Sequence, residues 1–416
     1  MWLALLFLVW GPQDPEKTVA ERLMTHVEAL SDDKLEGRNA GTEGAAKAAQ
    51  YIVQRFREYG LRSGPNGTHV QRFPFDVSDR AGKKLLFPRR GKAFNLLGLV
   101  EGTSRKDEVV LVVSHYDHLG KKGEWDPGRL GKPAGDPIWN GANDNASGMA
   151  ALLFLAESLS QIPPARSFVF IAFAAKEHGR AGSSWYRENP AIPFDQTAFV
   201  LVLDRIGRFR DVPLEIHGAG TAKELRPIVK KVLEREKLSA EVFNHADVRA
   251  PTGDHVSFFE EGIPTLLLSA PAHGTDRGPG DDATTVDPAA LEKVARSALG
   301  ILREVDASTD PLTFQGGRRF GFLLGGISTG RFAETAKLGK NGGAIFVWEV
   351  TAGSVAAKAG LRKGDWIFSL KETTFPRTGV VRVFRRVLDR LSPGKPVPVG
   401  VVREGKKMVL VAEWPE

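Results

Sequence analysis

Histidine and carboxylate side chains follow several short apolar segments of this 416-residue chain. His115, Glu177 and Asp204 each come shortly after a segment that has the composition of a strand. In open α/β sheets, ligands bind beyond the carboxyl ends of the strands. We therefore expect these three side chains at a ligand-binding edge of a sheet. The chain has no cysteine, so a metal bound there has to be held by His, Asp or Glu.

Apolar segments and helical periodicities alternate along most of the chain. Near-continuous apolar segments are typical of strands that are buried on both faces. Their alternation with helices predicts an α/β domain of three layers with a mostly parallel central sheet. The strands are expected at 108–114, 167–174, 198–203, 213–217 and 264–269, and the helices at 19–30, 42–60, 147–160, 222–237 and 288–305.

The pattern changes near 306–317, where short strands, glycine turns and one amphipathic helix at 380–391 follow. The segment 353–367, which reads G-S-V-A-A-K-A-G-L-R-K-G-D-W-I, resembles the helix and turn of PDZ domains of the bacterial protease type. The resemblance implies a small, mainly β domain. We predict a leader at 1–12, a first domain at 13–308 and a PDZ-like domain at 309–416.

PDZ domains bind the C-terminal end of a peptide by adding it to a sheet as a strand. The candidate carboxylate loop is the sequence Leu324, Gly325, Gly326 and Ile327, because glycines let backbone N–H groups converge on an anion. The resemblance thus implies a C-terminal peptide ligand. The alternative is that this domain is a structural appendage that packs on the first one.

Charge and hydropathy exclude some classes of function. The net charge is +7, but the basic residues are scattered and no basic helix interleaved with aromatic residues is present, so we do not expect nucleic-acid binding. The apolar run at 1–10 is too short to span a bilayer and matches the core of an export signal, although it lacks a positive n-region. This predicts an exported protein, periplasmic or extracellular, without a transmembrane segment. The alternative is a buried or frayed apolar start.

Four segments resemble the metal-binding blocks of the di-zinc aminopeptidase family of clan MH, of the aminopeptidase Y and bacterial leucyl aminopeptidase type. They read S-H-Y-D-H-L-G at 114–120, G-A-N-D-N-A-S-G at 141–148, K-E at 176–177 and L-D-R-I-G at 203–207. The resemblance implies a zinc-dependent fold that hydrolyses peptides from the N-terminus. It also implies that His115, Asp144 and Asp204 hold one zinc, that Glu177 and Asp144 hold a second one, and that Asp117 positions the first ligand.

Two residues depart from the pattern of this family. Lys176 stands where the family has its general-base Glu, and Arg277 stands where it has its last metal-binding His. A guanidinium cannot ligate zinc, and an ordinary ammonium cannot accept a proton from metal-bound water. His273, His178 and His255 are the candidates to replace the missing ligand. We expect the second zinc position to be damaged, with Arg277 and Lys176 as its counter-charge, which leaves one zinc or none.

Three functions remain open from the sequence. The first is an exported metallopeptidase-like enzyme that acts on peptides with weak or altered activity. The second is a non-catalytic scaffold that keeps the peptidase fold and recruits peptide or protein partners through its PDZ-like domain. The third is mono-zinc chemistry like that of the glutaminyl cyclase branch. That branch also uses a Glu at the position of Lys176, which argues against this function.

Overall fold

The structure is a computed structural model that describes most of the chain. It describes 17–64, 67–77, 89–121, 136–209, 212–244, 253–271, 276–315, 322–327, 338, 342–350, 353–376, 380–392 and 394–414. The residues group into two units. The first comprises 1–214, 232–239 and 269–309, and the second comprises 215–231, 240–268 and 310–416.

The described helices are α1 Val19–Leu30, α2 Glu43–Glu58, α3 Ser147–Gln161, α4 Ala181–Glu188, α5 Leu225–Glu236, α6 His255–Phe259, α7 Pro288–Ala307, α8 Val355–Lys358 and α9 Val380–Asp389. The helices expected at 19–30, 42–60, 147–160, 222–237, 288–305 and 380–391 have the predicted bounds within a few residues, whereas α4 and α6 were not predicted. Side-chain caps fix several starts. Thr18 and Glu21 form a capping box at α1, and Asp287 accepts hydrogen bonds from the first turn of α7, which has Pro288 at its first position.

Five strands of the first unit lie side by side in the order β1-β2-β6-β3-β7. Strand β3 pairs in parallel with β6 and with β7, whereas β2 pairs antiparallel with β1 and β6. Strands β4 and β5 form a separate antiparallel pair. The strands are β1 Val70–Val77, β2 Arg89–Val100, β3 Arg105–His115, β4 Gly120–Lys121, β5 Ile138–Trp139, β6 Arg166–Phe173 and β7 Thr197–Asp204. The α/β class predicted from the sequence is confirmed, with a parallel centre and an antiparallel edge.

The second unit contains two groups of strands. One has the order β10-β8-β9, and the other has the order β11-β12-β13-β15-β16 with β14 beside β13. The bounds are β8 Leu214–His217, β9 Ala240–Phe243, β10 Thr265–Ser269, β11 Phe322–Ile327, β12 Ile345–Val350, β13 Trp366–Leu370, β14 Thr373–Thr374, β15 Pro396–Arg403 and β16 Lys406–Glu413. A compact apolar core that includes Ile367, Phe384, Val401 and Trp414 supports this smaller, mainly β group.

The core of the first unit lies where the parallel strands meet α3. Every residue of β6 is buried, as are Val109–Val113 of β3. Helix α3 is buried continuously from Ser147 to Ala156, as expected of a helix that is apolar around its whole circumference. It contacts β3 and β7 and packs against α1 and α7. This packing fixes the carboxyl ends of the central strands, where the polar residues follow.

The predicted carboxylate loop has a different structure from the one expected. Leu324, Gly325, Gly326 and Ile327 belong to strand β11, which pairs antiparallel with β12 and is interrupted by register shifts. Glycine permits a bulged strand as readily as a loop, and the sequence signal did not distinguish the two. The leader at 1–12 lies outside the described residues, and the domain boundary at 308/309 stays a prediction. No helix among the described residues is long and apolar enough to cross a membrane.

Candidate metal centre

Two groups of potential metal ligands lie in the first unit and share one carboxylate. The first group is His115, Asp144 and Asp204, and the second is His118, Asp144 and Glu177. Within each group, one ligand atom per residue lies within 4.8 Å of the others. The structure thus brings together all four residues that the family resemblance implied as ligands, and it adds His118.

The strand ends explain how the first group forms. His115 is the last residue of β3, and Asp204 is the last residue of β7, the parallel neighbour of β3. The Nε2 atom of His115 lies 3.8 Å from Oδ1 of Asp204 and 3.6 Å from Oδ1 of Asp144. Carboxyl ends of neighbouring parallel strands meet at one edge, which is where the sequence placed these residues.

Asp144 lies in an irregular turn that precedes α3. Hydrogen bonds from the backbone N–H groups of this turn hold Asp144 in place. The carboxylate of Asp281 accepts the N–H groups of Asn143 at 2.8 Å and of Asp144 at 3.0 Å. The side chain of Asn145 donates to Ser114 Oγ at 2.9 Å, which ties the turn to the end of β3. Gly141 starts the turn in the left-handed region, with φ of 60°. The backbone of Asp144 is therefore fixed without using its own carboxylate.

Asp117 connects the two groups. Its carbonyl oxygen lies 3.1 Å from His115 Nδ1, and a proton on that nitrogen leaves the Nε2 lone pair free to face the carboxylates. Its carboxylate accepts the backbone N–H groups of Lys176 and Glu177, each at 3.1 Å. Asp117 therefore orients His115 through its backbone and anchors the 176–177 turn through its side chain.

Lys176 and Arg277, the two residues expected to replace family residues, both contact carboxylates of the two groups. Lys176 Nζ donates to Glu177 Oε1 at 2.8 Å and lies 3.5 Å from Asp144 Oδ1. Arg277 Nη2 donates to Glu177 at 3.0 Å and 3.3 Å, and its Nε lies 3.7 Å from Asp144 Oδ2. Both basic side chains thus lie beside Glu177 and Asp144, and their role as counter-charge stays a prediction.

A third cation, Arg205, was missed by the sequence reasoning. Its Nε lies 3.4 Å from Asp204 Oδ1, and its backbone has a positive φ of 56° just after β7. That conformation is costly for a non-glycine residue and is held here by a hydrogen bond from Arg205 N to Asn145 Oδ1 at 2.8 Å. The signal in the sequence was the arginine directly after Asp204. With Arg205, each carboxylate of the two groups has a basic side chain within 4 Å.

The pKa values of Glu177 and Lys176 are both shifted toward the ionised forms. Burial by itself raises the pKa of Glu177, but Arg277 and Lys176 lower it more, so the pKa of Glu177 lies well below its ordinary value. Burial lowers the pKa of Lys176, but Asp144, Glu177 and Asp204 more than reverse this and raise it above an ordinary lysine. Burial lowers the pKa of His118 to about 3, so its imidazole is neutral and keeps a lone pair.

Several buried atoms of the site make no hydrogen bond to any described residue. They are His115 Nε2, both ring nitrogens of His118 and both carboxylate oxygens of Asp144. Buried polar atoms of this kind are costly unless something satisfies them, and imidazole and carboxylate are ligands that zinc accepts. The first group therefore fits a zinc ion. In the second group, Lys176 and Arg277 compete for the same carboxylates.

Of the three histidines considered as replacement ligands, His178 and His255 are described by the structure, and neither belongs to either group. His178 Nε2 hydrogen-bonds Asn39 Oδ1 at 2.8 Å, and its ring packs 5.1 Å from that of Phe75. His255 lies in α6 of the second unit, and His273 lies outside the described residues. His118 stands within the quoted block at 114–120, yet only its three-residue spacing from His115 could have suggested a ligand.

A buried arginine holds the loops around the site together. The guanidinium of Arg38 donates to the carbonyl oxygens of Tyr116 at 2.8 Å, Asn140 at 2.6 Å and Gly141 at 3.0 Å, and also to that of Leu30. Arg38 thereby joins the loop after β3 to the turn that carries Asp144. Burial lowers its pKa to about 10, which still leaves it charged at neutral pH.

Comparisons with known proteins show the family and the fold of this chain. Residues 95–302, half of the chain, match the sequence profile of peptidase family M28. The chain is 28% identical to Aminopeptidase YwaD of Bacillus subtilis over 174 residues, which cover 41% of this chain and 34% of that protein. It is 25% identical to the Alkaline phosphatase isozyme conversion protein of Escherichia coli over 154 residues, which cover 35% and 40%. The chain thus spans only about a third to two fifths of the length of these curated relatives.

Solved structures show the same fold at low sequence identity. The zinc aminopeptidase BSAP from Bacillus subtilis superposes with a TM-score of 0.55 at 16% identity, covering 72% of this chain and 98% of that one. The glutaminyl cyclase of Bacteroides thetaiotaomicron superposes with a TM-score of 0.53 at 19% identity, covering 68% and 97%. At these identities the likeness concerns the fold alone.

Proposed function

The chain belongs to peptidase family M28, and from that premise we propose that it binds peptides and one zinc ion but hydrolyses peptides weakly or not at all. His115, Asp144 and Asp204 are the proposed zinc ligands. Lys176 and Arg277 take the place of a second ion. The observation that carries this proposal is the double contact of both basic side chains with Glu177 and Asp144.

Lys176 cannot serve as the proton acceptor that hydrolysis requires. A general base has to be unprotonated near the operating pH, whereas the surrounding carboxylates raise the pKa of Lys176 above its usual value. Glu177, the next residue, has a carboxylate, but this carboxylate already accepts hydrogen bonds from Lys176 and Arg277. Loss of a general base typically lowers the rate by about 10²–10⁴-fold.

The residues of the first group can hold and orient a zinc ion. A bound zinc polarises a carbonyl oxygen and lowers the pKa of a water molecule. His115 is oriented by the backbone of Asp117, and Asp144 is fixed by Asp281 through backbone N–H groups. Outer contacts of this kind are what hold metal ligands in place. The residues that orient the proposed zinc ligands are thus present, whereas the residue that would accept the proton is missing.

The test is to restore the family residues and measure both zinc content and hydrolysis. We expect the wild type to hold one zinc per chain after removal of loosely bound metal, with hydrolysis of aminoacyl p-nitroanilides near background. The variant Lys176→Glu/Arg277→His should gain at least about 10²-fold in rate. Lys293→Glu/Arg296→His, which makes the same changes on the surface of α7, is the control and should gain nothing.

Two results would contradict the proposal. One is efficient hydrolysis by the wild type, which would mean that a base other than Lys176 acts. The other is the absence of bound zinc in the wild type, which would mean that the three basic side chains neutralise the first group as well.

A second candidate function is peptide capture without hydrolysis by the PDZ-like part of the chain. The observation that favours it is that β11 ends the strand order of its sheet, since an edge strand presents backbone groups that an added strand can pair with. Peptides with a free C-terminal carboxylate should bind the full chain at least tenfold more tightly than the same peptides with an amidated end. Equal binding of the two would exclude recognition of the terminus.

A further inference from the structure

His118 is a buried imidazole that the proposed function does not use. Its side chain is fully buried, and neither ring nitrogen makes a hydrogen bond with a described residue. Nitrogens buried in this way cost free energy unless they are satisfied, and an imidazole usually has at least one of them engaged. The ring therefore has a capacity for a ligand that the described protein atoms do not fill.

The imidazole is held in place toward two carboxylates. His118 forms a group with Asp144 and Glu177 in which the ligand atoms lie within 4.8 Å of each other. Gly141 packs so closely on the ring that a Cβ there would lie 2.5 Å from His118 Cγ, and the backbone N–H of His118 donates to the Arg38 carbonyl at 3.3 Å. One imidazole and two carboxylates are a ligand set that zinc accepts.

We propose that His118, with Asp144 and Glu177, forms a latent second metal site that Arg277 and Lys176 keep closed. A residue of the loop after β3 would thus take the place of the missing downstream histidine. The inference rests on the proposed function in one respect, because it takes the two basic side chains as the occupants of this position in the wild type.

The two basic side chains differ in how readily they can leave. The Lys176 side chain is 4% exposed, whereas the Arg277 side chain is 32% exposed and contacts Glu177 at 3.0 Å. Both have to lose their charge before a divalent cation is favoured beside Glu177, because like charges at this distance repel strongly in a buried site. Neutral substitutions at both positions should therefore open the site while leaving its three ligands in place.

The experiment is a Co²⁺ titration followed by the visible absorption of the bound metal, with calorimetry for stoichiometry. We expect one equivalent in the wild type, two in Lys176→Gln/Arg277→Gln, and one again when His118→Gln is added to that variant. Adding His178→Gln instead, which removes a neighbouring imidazole outside the group, should leave two equivalents. If the Lys176→Gln/Arg277→Gln variant does not fold, Lys176→Met/Arg277→Met, which also removes both charges, gives the same comparison alone and with His118→Gln.

Each outcome decides between the two proposals. A second equivalent that is lost with His118 supports the latent site, whatever the wild type binds. Failure to bind a second equivalent, or a second equivalent that survives His118→Gln, overturns it and leaves the single-zinc proposal intact. Failure of the wild type to bind any metal overturns the single-zinc proposal, while the difference between the variants still tests His118.

Discussion

Arg277 Nη2 lies 3.0 Å from Oε2 and 3.3 Å from Oε1 of Glu177, so one nitrogen serves both oxygens of a buried carboxylate. Glu177 is anchored at the same time by its backbone N–H, which donates to Asp117. The pair thus connects the loop that carries Arg277 to the turn after β6. Its removal is expected to affect both stability and the response to acid.

Arg277→Ala should destabilise the protein and weaken its sensitivity to acid. Breaking a buried ion pair costs about 3–5 kcal/mol, and the partial exposure of Arg277 together with Lys176 nearby brings the loss below that range. Because the pKa of Glu177 is lowered, the stability from its ionised form is present above the unfolded pKa and is lost as pH falls through the folded one. Urea unfolding at pH 7 and pH 3.5 should therefore show a smaller difference in the variant than in the wild type.

The control for Arg277→Ala is Arg296→Ala. Arg296 pairs with Glu292 at 2.7 Å on the exposed face of α7, where such a pair contributes about 0.3–0.5 kcal/mol. Equal losses in the two variants would show that the Arg277–Glu177 pair contributes no more than a surface pair.

Gly141→Ala should disrupt the metal centre, whereas Gly60→Ala should not. Both glycines have a positive φ, so the backbone cost of about 1 kcal/mol is shared by the two variants. A Cβ at Gly141 would lie 2.5 Å from the Asp144 carbonyl oxygen and from His118, while a Cβ at Gly60 meets nothing within 4 Å. We expect Gly141→Ala to lose zinc binding in addition to stability. Retention of full zinc affinity would show that the turn can shift without moving Asp144.

Asp281 should make stability decrease as the pH rises from about 4 to about 7. Burial raises its pKa to about 7, although the N–H groups of Asn143 and Asp144 favour the ionised form. A carboxyl whose folded pKa is raised binds more protons when folded, so its contribution is present at low pH and is lost as the pH rises through the folded pKa. Asp281→Asn removes this slope, which is at most about 1.4 kcal/mol per pH unit, and also loses one acceptor. Urea unfolding between pH 4.5 and 7.5 measures it.

The comparison for Asp281→Asn is Asp195→Asn, at an exposed position. This surface change should leave the pH profile of the wild type unaltered. A slope that persists in Asp281→Asn would assign the pH dependence to other groups.

Zinc should stabilise the folded protein through the first ligand group. An ion that binds only the folded state at one hundred times its dissociation constant adds about 2.7 kcal/mol to the free energy of unfolding. His115→Ala removes one of three ligands and should abolish most of this gain. His178→Ala, outside both groups, should keep it. Thermal unfolding with and without zinc, and after chelation, distinguishes these outcomes.

The central strands, the longer helices between them and the edge that carries the site could be predicted from the sequence, whereas β1, β2, α4 and α6 were not. Strands β3 and β7 end at His115 and Asp204, because long apolar runs stop where polar ligands begin. The bounds of α1 agree with the periodicity at both ends. These features depend on the apolar runs of strands and the helical periodicity of helices, which are visible within a single segment of the sequence.

Other features depend on how distant loops approach each other and were not predictable from the chain alone. His118 faces Asp144 and Glu177 because Gly141 and Arg38 fix the loops around it, which no local pattern records. The role of Arg205 depends on a left-handed turn after β7. The glycines of β11 could have formed a loop. They form an irregular strand instead, because β11 pairs with β12 through register shifts near Leu324 and Gly326.

Lys176, Arg205 and Arg277 are part of the polypeptide, which has a consequence for how the site is completed. A pocket whose counter-charges are ions depends on the supply of those ions from its surroundings and can be emptied by a competing chelator. Here the basic side chains beside the carboxylates belong to the same polypeptide, so they are present in every folded molecule. If these side chains act as the proposed counter-charge, we expect the pocket to keep its shape where zinc is scarce.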